Sequence, residues 1–380
     1  MSKDQTIDKS GHPAEDTRSN HAASSAQVRK AAVVFAGTAA ALLILCAVLT
    51  VIVDPFFHYH APLKGFPYVV DNQLSQNPGM ARNMTYDSII TGSSMTVNFN
   101  TNDFREAMGV NALKLSSNGA YPKDIANVLD FAYDEHSKAR KASPLTNAFI
   151  AIDVAVFTAG PEEVKYPQPT YLYDKSPLND IPYLLNKDVL LQYVLRPIVE
   201  REATDLATVY ATTWQTEEYF GKDWVLQGFA PSEVREKEEP KDAYREKTEI
   251  NLERNVLSYV RQHPETEFTF FFPPYSILYW YNVERENHLE ATMAQYEQIG
   301  ETLLKEDNVR VFYFQDMEDV VTDLANYSDY EHYSPAINSY MAACFGTGEH
   351  EVHPGGMHEV LDHMRSIVDS FDFETFLAPQ

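Results

Sequence analysis

The amino-acid sequence predicts an α/β domain with a mostly parallel five-stranded sheet, joined to one membrane-spanning helix near the N-terminus. The helix is predicted from the uncharged apolar segment at residues 31–53. The domain is predicted from short apolar runs that alternate with helical stretches, because strands separated by helices form parallel sheets with helices on both faces. A chain of 380 residues is long enough to bury a large core around such a sheet.

The charge of the chain excludes some partners. The formal net charge of −25 argues against nucleic acid, because binding to phosphates requires a basic surface. It also argues against a polybasic attachment to anionic lipid, and it is typical of a well-solvated surface. Cys46 lies inside the apolar segment and Cys344 near the C-terminus, on opposite sides of the anchor, so we expect no disulfide within the domain.

Residues 31–53 are 23 consecutive uncharged residues, which as a helix span roughly 35 Å and cross a bilayer. Arg29 and Lys30 precede this segment and Asp54 follows it. The positive-inside rule therefore places the N-terminus in the cytoplasm and the rest of the chain outside. The run is too long for a cleaved signal peptide, which favours a retained signal anchor in the cell membrane. Residues 1–30 are expected to form a disordered cytoplasmic tail.

After the anchor, Pro55 and Pro62 disfavour a helix, so residues 54–84 are interpreted as a connector to a domain at 85–380. Five short apolar runs in this domain predict strands at 88–91, 112–116, 148–152, 268–272 and 309–314. Helical patterns predict helices near 101–108, from Pro122, near 284–305 and near 355–372. Residues 160–245 contain no strand-like run and are interpreted as a helical insertion between the third and fourth strands.

Functional groups of an open parallel sheet gather at the carboxyl ends of its strands. In this chain Gly92-Ser93-Ser94 follows the first predicted strand, and Ser116-Ser117-Asn118-Gly119 follows the second. Asp153 ends the third strand, and Asp329 and His332 follow the fifth. We therefore expect these residues to lie along one edge of the sheet.

A serine hydroxyl is a poor nucleophile at neutral pH unless a base takes its proton and a third group orients that base. Asp329 lies three residues before His332, close enough in a turn for its carboxylate to meet the imidazole. The pattern predicts a catalytic triad of Ser94, Asp329 and His332. The backbone N–H groups of Ser94 and Gly119 are the expected donors to the oxyanion.

These motifs resemble those of the SGNH (GDSL-type) hydrolase superfamily. Gly92-Ser93-Ser94 stands where that family has Gly-Asp-Ser, Gly119 stands at its second block, and Asp329 with His332 matches its terminal Asp-x-x-His. The resemblance covers about residues 85–345, without the insertion. It implies a three-layer sandwich around five parallel strands, with Ser94 as the nucleophile and with no metal or organic cofactor. It is closest to membrane-anchored members found with bacterial cell-surface polysaccharide genes.

At one position the sequence departs from the family pattern. Asp153 falls where the third block usually supplies an asparagine side chain to the oxyanion hole. A carboxylate facing an oxyanion would repel it. Three explanations stay open: Asp153 points elsewhere, it is protonated, or the hole contains backbone donors only.

The resemblance implies a membrane-anchored serine esterase or O-acyltransferase that acts on acyl esters of a cell-surface glycan outside the cytoplasm. The expected partners are the glycan or its acyl donor and a membrane-bound O-acyltransferase, beside which such relatives often work. The first alternative is a non-catalytic assembly or glycan-binding protein on the same fold, which Asp153 favours. The second alternative is an unrelated anchored scaffold without a site.

Two further groups of residues have compositions that occur in binding sites. His350, His353 and His358 lack the His-Glu-x-x-His spacing, and Pro354 with two glycines breaks any helix that would align them, so we predict no metal site. Aromatic residues of the insertion either stack on sugars or form the core of a helical lobe. They are Tyr171, Tyr173, Trp214, Tyr219 and Trp224.

Overall fold

The computed structural model describes residues 17–201, 203–210 and 219–378 of the chain. The strands in this described part are β1 (Ser88–Gly92), β2 (Ala112–Ser116), β3 (Asn147–Ala151), β4 (Glu267–Phe272), β5 (Val309–Tyr313) and β6 (Glu351–Val352). The α-helices are α1 (Thr17–Val53), α2 (Gln73–Asn83), α3 (Thr101–Met108), α4 (Pro122–Ala132), α5 (Lys138–Ala142), α6 (Thr170–Tyr173), α7 (Ile181–Leu184), α8 (Arg196–Glu200), α9 (Lys222–Gly228), α10 (Arg245–Leu252), α11 (Ser258–Gln262), α12 (Ile277–Arg285), α13 (Leu289–Leu303), α14 (Glu318–Val321), α15 (Pro335–Thr347), α16 (Met357–Ser370) and α17 (Phe373–Leu377).

The strands form one sheet in the order β2-β1-β3-β4-β5-β6. The first five are parallel, and β6 runs antiparallel to β5, with Val352 opposite Val311. The predicted mostly parallel α/β sheet is confirmed, but the sheet has six strands and not the five that were predicted. A two-residue strand is too short to show a periodic pattern. Its position is held by the ion pair between Arg310 Nη2 and Glu351 Oε2 at 2.6 Å.

Each face of the sheet buries its own apolar core. Phe268, Phe270 and Phe272 of β4 lie in one core, and Phe271 lies in the other with Phe345 of α15. The ring centroids of Phe271 and Phe345 are 5.2 Å apart. Because successive side chains of a strand point to opposite faces, this one apolar strand contributes to both cores. The helices therefore cover the sheet on both sides.

Helix α1 contains a stretch from Ala26 to Val53 that is long and apolar enough to span a membrane. The helix begins at Thr17, so the prediction of a disordered tail is wrong for residues 17–30, while residues 1–16 lie outside the described part. Residues 17–30 contain three Ala, three Ser and two Arg, and they contain neither Pro nor Gly. Extending a formed helix costs far less than nucleating a new one, which explains the longer helix.

The predicted connector at 54–84 is not a simple linker, because it contains α2, which is largely buried. The sequence Asn77-Pro78-Gly79 is typical of a turn and concealed this helix. A Cβ atom on Gly79 would lie 2.1 Å from the carbonyl oxygen of Phe56, so only glycine permits this contact. The segment after α1 therefore packs on the domain.

The insertion between β3 and β4 is helical, as predicted, and its described residues contain no strand. Tyr171 and Tyr173 pack around the buried Tyr183 in a small core of their own. Tyr219 and Trp224 contact each other, with ring centroids 5.1 Å apart, and Trp224 is exposed. Trp214 lies outside the described residues.

Candidate functional site

The turn that presents Ser94 depends on a glycine at the end of β1. Gly92 has a φ of +146°, and a Cβ atom there would lie 2.7 Å from Cβ of Ala151 on β3. Only glycine allows β1 and β3 to approach this closely. The chain then enters a 3-10 turn at 94–96, where the Ser93 hydroxyl accepts a hydrogen bond from the N–H of Met95 at 3.2 Å. The turn places Ser94 at the carboxyl edge of the sheet, beside the end of β3.

Three side chains that the sequence singled out lie in one hydrogen-bonded chain. Ser94 Oγ is 2.8 Å from His332 Nε2, and His332 Nδ1 is 2.7 Å from Asp329 Oδ2. The other oxygen of Asp329 accepts the backbone N–H groups of Glu331 and His332, each at 2.8 Å. The aspartate thus fixes both the ring and the backbone of the histidine. This geometry can transfer a proton from the serine hydroxyl to the imidazole.

Burial and charge act in opposite directions on this pair. Burial alone would lower the pKa of His332, but the hydrogen bond and charge of Asp329 outweigh it, and the pKa is raised above its usual value. Burial would raise the pKa of Asp329, yet the bond and charge of His332 hold it below its usual value. Asp329 therefore stays ionised at neutral pH and favours a protonated imidazole.

Glu331 was not predicted from the sequence as part of the site. Its carboxyl group is buried next to the triad, and burial, together with the charges of Asp329 and Asp153, raises its pKa to about 7. The charge of Glu331 in turn raises the pKa of His332. The only signal in the sequence is its place inside the Asp-x-x-His motif, because burial is a tertiary property.

The two expected oxyanion donors follow neighbouring strands. Gly119 has a φ of +64°, and the preceding residue is held by Gln73, whose Oε1 accepts the N–H of Asn118 at 2.7 Å. Gln73 Nε2 also donates to Asn118 Oδ1 at 3.0 Å. Among the residues that the structure describes, neither the N–H of Ser94 nor that of Gly119 donates to another group. These two N–H groups therefore remain the expected oxyanion donors.

Asp153 lies next to the serine turn and has two side-chain partners. Its carboxylate accepts a hydrogen bond from the hydroxyl of Tyr275 and interacts with the side chain of Ser93. Burial raises the pKa of Asp153, and these hydrogen bonds only partly oppose the shift. The Tyr275 contact gives the Asp153 side chain a structural partner beside the serine turn.

The serine turn and the histidine loop are fixed from behind by polar contacts that sequence patterns did not reveal. The carbonyl oxygen of Met95 accepts hydrogen bonds from Tyr333 Oη at 2.8 Å and Asn338 Nδ2 at 3.2 Å. Ser276 Oγ donates to the carbonyl oxygen of Tyr330 at 2.7 Å. These bonds join groups far apart in sequence and fix the position of Ser94 relative to His332.

The histidine-rich segment lies away from the triad. His350 Nε2 and Tyr340 Oη are 3.0 Å apart, and His358 Nε2 is 3.2 Å from Asp362 Oδ2. Within residues 17–201, 203–210 and 219–378, no group of three His, Cys, Asp or Glu side chains is arranged to hold a metal ion.

Comparisons with known proteins give little support for any family. No protein-family model and no curated protein matches the chain. A solved structure described as a platelet activating factor from Streptococcus pneumonia is 12% identical, covers 73% of this chain and 90% of its own, and has a TM-score of 0.35. A likeness this low carries no conclusion about fold or function, which must come from the site itself.

Proposed function

We propose that this chain is a membrane-anchored serine esterase or O-acyltransferase of the SGNH type, acting on acyl esters of a glycan outside the cytoplasm. The observation that supports this most strongly is the hydrogen-bonded chain from Ser94 through His332 to Asp329. It lies at the crevice between β1 and β3, where the strand order reverses. Open parallel sheets bind their ligands at this crevice.

In the proposed reaction Ser94 Oγ attacks the acyl carbonyl carbon while His332 Nε2 takes the hydroxyl proton. The N–H groups of Ser94 and Gly119 stabilise the oxyanion of the tetrahedral intermediate. His332 returns the proton to the leaving alcohol as its bond to the acyl carbon breaks, which leaves an acyl-Ser94 ester. Water then releases the acyl group in an esterase, whereas a sugar hydroxyl accepts it in a transferase.

The SGNH assignment also draws on topology. The five parallel strands have the order 2-1-3-4-5, which is common in doubly wound sheets. In this interpretation β1 to β5 are the family core, and β6 is an addition at its edge. The assignment is supported by Gly92 at the end of β1, by Gly119 after β2 and by the 329–332 motif after β5.

The glycan part of the proposal draws on a cleft of about 700 Å³ beside Asp329. Trp224, Phe229 and Tyr330 line it, together with Glu331. Aromatic faces combined with a few polar groups are typical of ligand sites, and they suit the apolar faces of sugar rings. A membrane anchor would keep the domain near an acyl donor supplied by a membrane-bound O-acyltransferase, because tethering raises effective concentration.

The second candidate is a non-catalytic glycan-binding or assembly protein on the same fold. The observation that favours it is Asp153, whose carboxylate would repel an oxyanion if it were ionised. In this alternative the Ser94–His332 contact is only structural.

Hydrolysis of 4-nitrophenyl acetate by the full-length protein in detergent separates the two candidates. We expect Ser94→Ala to reduce the rate by on the order of a thousandfold or more. Ser366→Ala, which changes an exposed serine of α16, is the control and should leave the rate unchanged. If Asp153 occupies the place of an oxyanion donor, Asp153→Asn should raise the rate. Hydrolysis by the wild type and by Asp153→Asn that does not exceed the Ser94→Ala rate would favour the non-catalytic candidate.

A further inference from the structure

The helical insertion exposes several large apolar side chains that lie close together in sequence. Between residues 178 and 200 the exposed fraction is 63% for Ile181, 51% for Leu191, 47% for Leu195 and 80% for Val199. Single exposed apolar residues are ordinary, but a contiguous group of them marks an interaction surface. We call Ile181, Leu185, Leu191, Leu195, Ile198 and Val199 the docking face.

Most of the docking face lies on one continuous helical stretch. The π-helical segment 189–195 leads directly into α8. Leu191, Leu195 and Val199 recur every four residues on its outer side, whereas Val189 and Val194 are buried on its inner side. A helix that is apolar on both sides is typical of a buried or membrane-associated helix, not of one facing water.

The docking face begins where the membrane-spanning helix ends. Both α7 and the 189–195 segment pack on α1, and Thr50 Oγ1 donates to the carbonyl oxygen of Leu184 at 3.3 Å. Thr50 lies three residues before Val53, which is roughly 4.5 Å along the helix axis. At this level α1 still exposes Val51 and Ile52. Lipid that surrounds these residues of α1 would also reach the neighbouring docking face.

A buried joint fixes the insertion against the anchor. Asp54, directly after α1, is fully buried and accepts the N–H groups of His58, Tyr59 and His60 at 3.0, 2.7 and 2.8 Å. The hydroxyl of Tyr183 in α7 also donates to Asp54, at 2.8 Å. Because one carboxylate ties the end of α1 to α7, the docking face cannot turn away from the anchor without breaking these bonds.

The charge of this segment suits a lipid surface better than the rest of the chain does. Residues 175–201 contain four basic residues and three acidic ones, a net charge of +1, whereas the whole chain carries −25. Lys187, Arg196 and Arg201 flank the docking face and are exposed. Basic residues beside an apolar helix face are typical of helices that lie in the membrane interface.

We propose that the docking face inserts into the outer interfacial layer of the bilayer that holds α1, so that the domain lies on the membrane. This inference rests on the proposed membrane anchoring and not on the triad. Tyr193, on the same π-helical segment, lines a cleft of about 380 Å³ with Asn118 and Lys165, next to the oxyanion residue Gly119. If the docking face meets lipid as proposed, this cleft opens beside the membrane surface, where an acyl donor or glycan held at the lipid would lie near Gly119.

Depth measurement in lipid vesicles tests this inference on the full chain. A Cys46→Ala background removes the cysteine in α1, and Cys344 is buried. Val199→Cys, with Ile181→Cys as a second position, is labelled with the environment-sensitive fluorophore NBD. Val234→Cys is the matched control, since Val234 is 63% exposed on another part of the surface. The proteins are reconstituted into phosphatidylcholine–phosphatidylglycerol vesicles with or without lipids doxyl-labelled at carbon 5.

We expect NBD at residues 199 and 181 to emit at shorter wavelength and to lose about half or more of its intensity to the doxyl lipids, as for groups inserted roughly 5–10 Å. NBD at residue 234 should behave as in water. Similar aqueous emission at all three positions would overturn the inference and would point to a protein partner for this face.

Two readouts on the same samples keep this result separate from the proposed function. Failure of the protein to float with the vesicles would overturn the anchor and the docking face together. If a fluorophosphonate does not label Ser94 while NBD at residue 199 is still quenched, the result would contradict the triad and support the docking face. Labelled Ser94 with aqueous NBD at residue 199 would overturn the docking face alone.

Discussion

The sheet and the insertion place their apolar side chains in opposite ways. Phe270 and Phe271 of β4 are fully buried, each in the core on its own face of the sheet. Leu195 and Val199 of the insertion instead point outward. The sheet finds all its apolar contacts within the chain, whereas the insertion leaves a surface for something outside it. If the docking face meets the membrane as proposed, the sheet provides a rigid frame for the site and the insertion orients this frame.

The largest difference between the two regions should appear in stability. Phe271→Ala removes a ring packed between strands and α15, so we expect the free energy of unfolding to fall by about 3–5 kcal/mol. Val199→Ala, in the insertion, should change it by less than about 0.5 kcal/mol, because this side chain is mostly exposed. Urea titration of both variants in detergent measures the two values. Equal losses would contradict the division between a self-contained sheet and an outward-facing insertion.

A smaller effect than the loss of stability is expected at the carboxyl edge of the sheet. It concerns the pH dependence of Ser94 labelling. Because the pKa of His332 is raised, its imidazole loses its proton at a higher pH than a free imidazole does. The rate of Ser94 labelling should therefore increase with pH, and the midpoint of this increase should lie above about pH 6.5. The charge of Glu331 contributes to this increase. Glu331→Gln removes that charge, lowers the pKa of His332 and should move the midpoint to lower pH.

Labelling rates measured between pH 5 and 9 in full-length protein check this shift. Glu359→Gln, an exposed glutamate on α16, is the control and should leave the midpoint unchanged. A midpoint that stays in place or moves to higher pH in Glu331→Gln would show that Glu331 does not act on His332.

Local patterns predicted much of the sheet. The range of β2 matches its prediction, β1, β4 and β5 differ by one residue at one end, and β3 is shifted by one residue at both ends. The agreement is close because buried parallel strands are continuous apolar runs. The Asp329–His332 contact was also predictable, since it spans three residues. By contrast, β6 is too short to leave a pattern, and α2 contains a Pro and a Gly that are typical of turns.

Other features depend on contacts between distant residues. Tyr275 and Asp153 are 122 positions apart, and no spacing rule connects them. The docking face consists of leucines, isoleucines and a valine that resemble core residues in composition, and only the packing of the insertion on α1 shows that they face outward. The sequence could therefore predict that Ser94, His332 and Asp329 meet, but not the residues around them or the outward-facing side chains of the insertion.

The most direct measurement of the central proposal is the site at which a fluorophosphonate probe becomes attached. Full-length protein is treated with the probe and the modified peptide is identified by mass spectrometry, for the wild type, Ser94→Ala and Ser93→Ala. If His332 activates Ser94 across their 2.8 Å contact, the probe will modify Ser94 in the wild type and in Ser93→Ala and will be absent from Ser94→Ala. Attachment to Ser93, or labelling that persists in Ser94→Ala, would contradict the account.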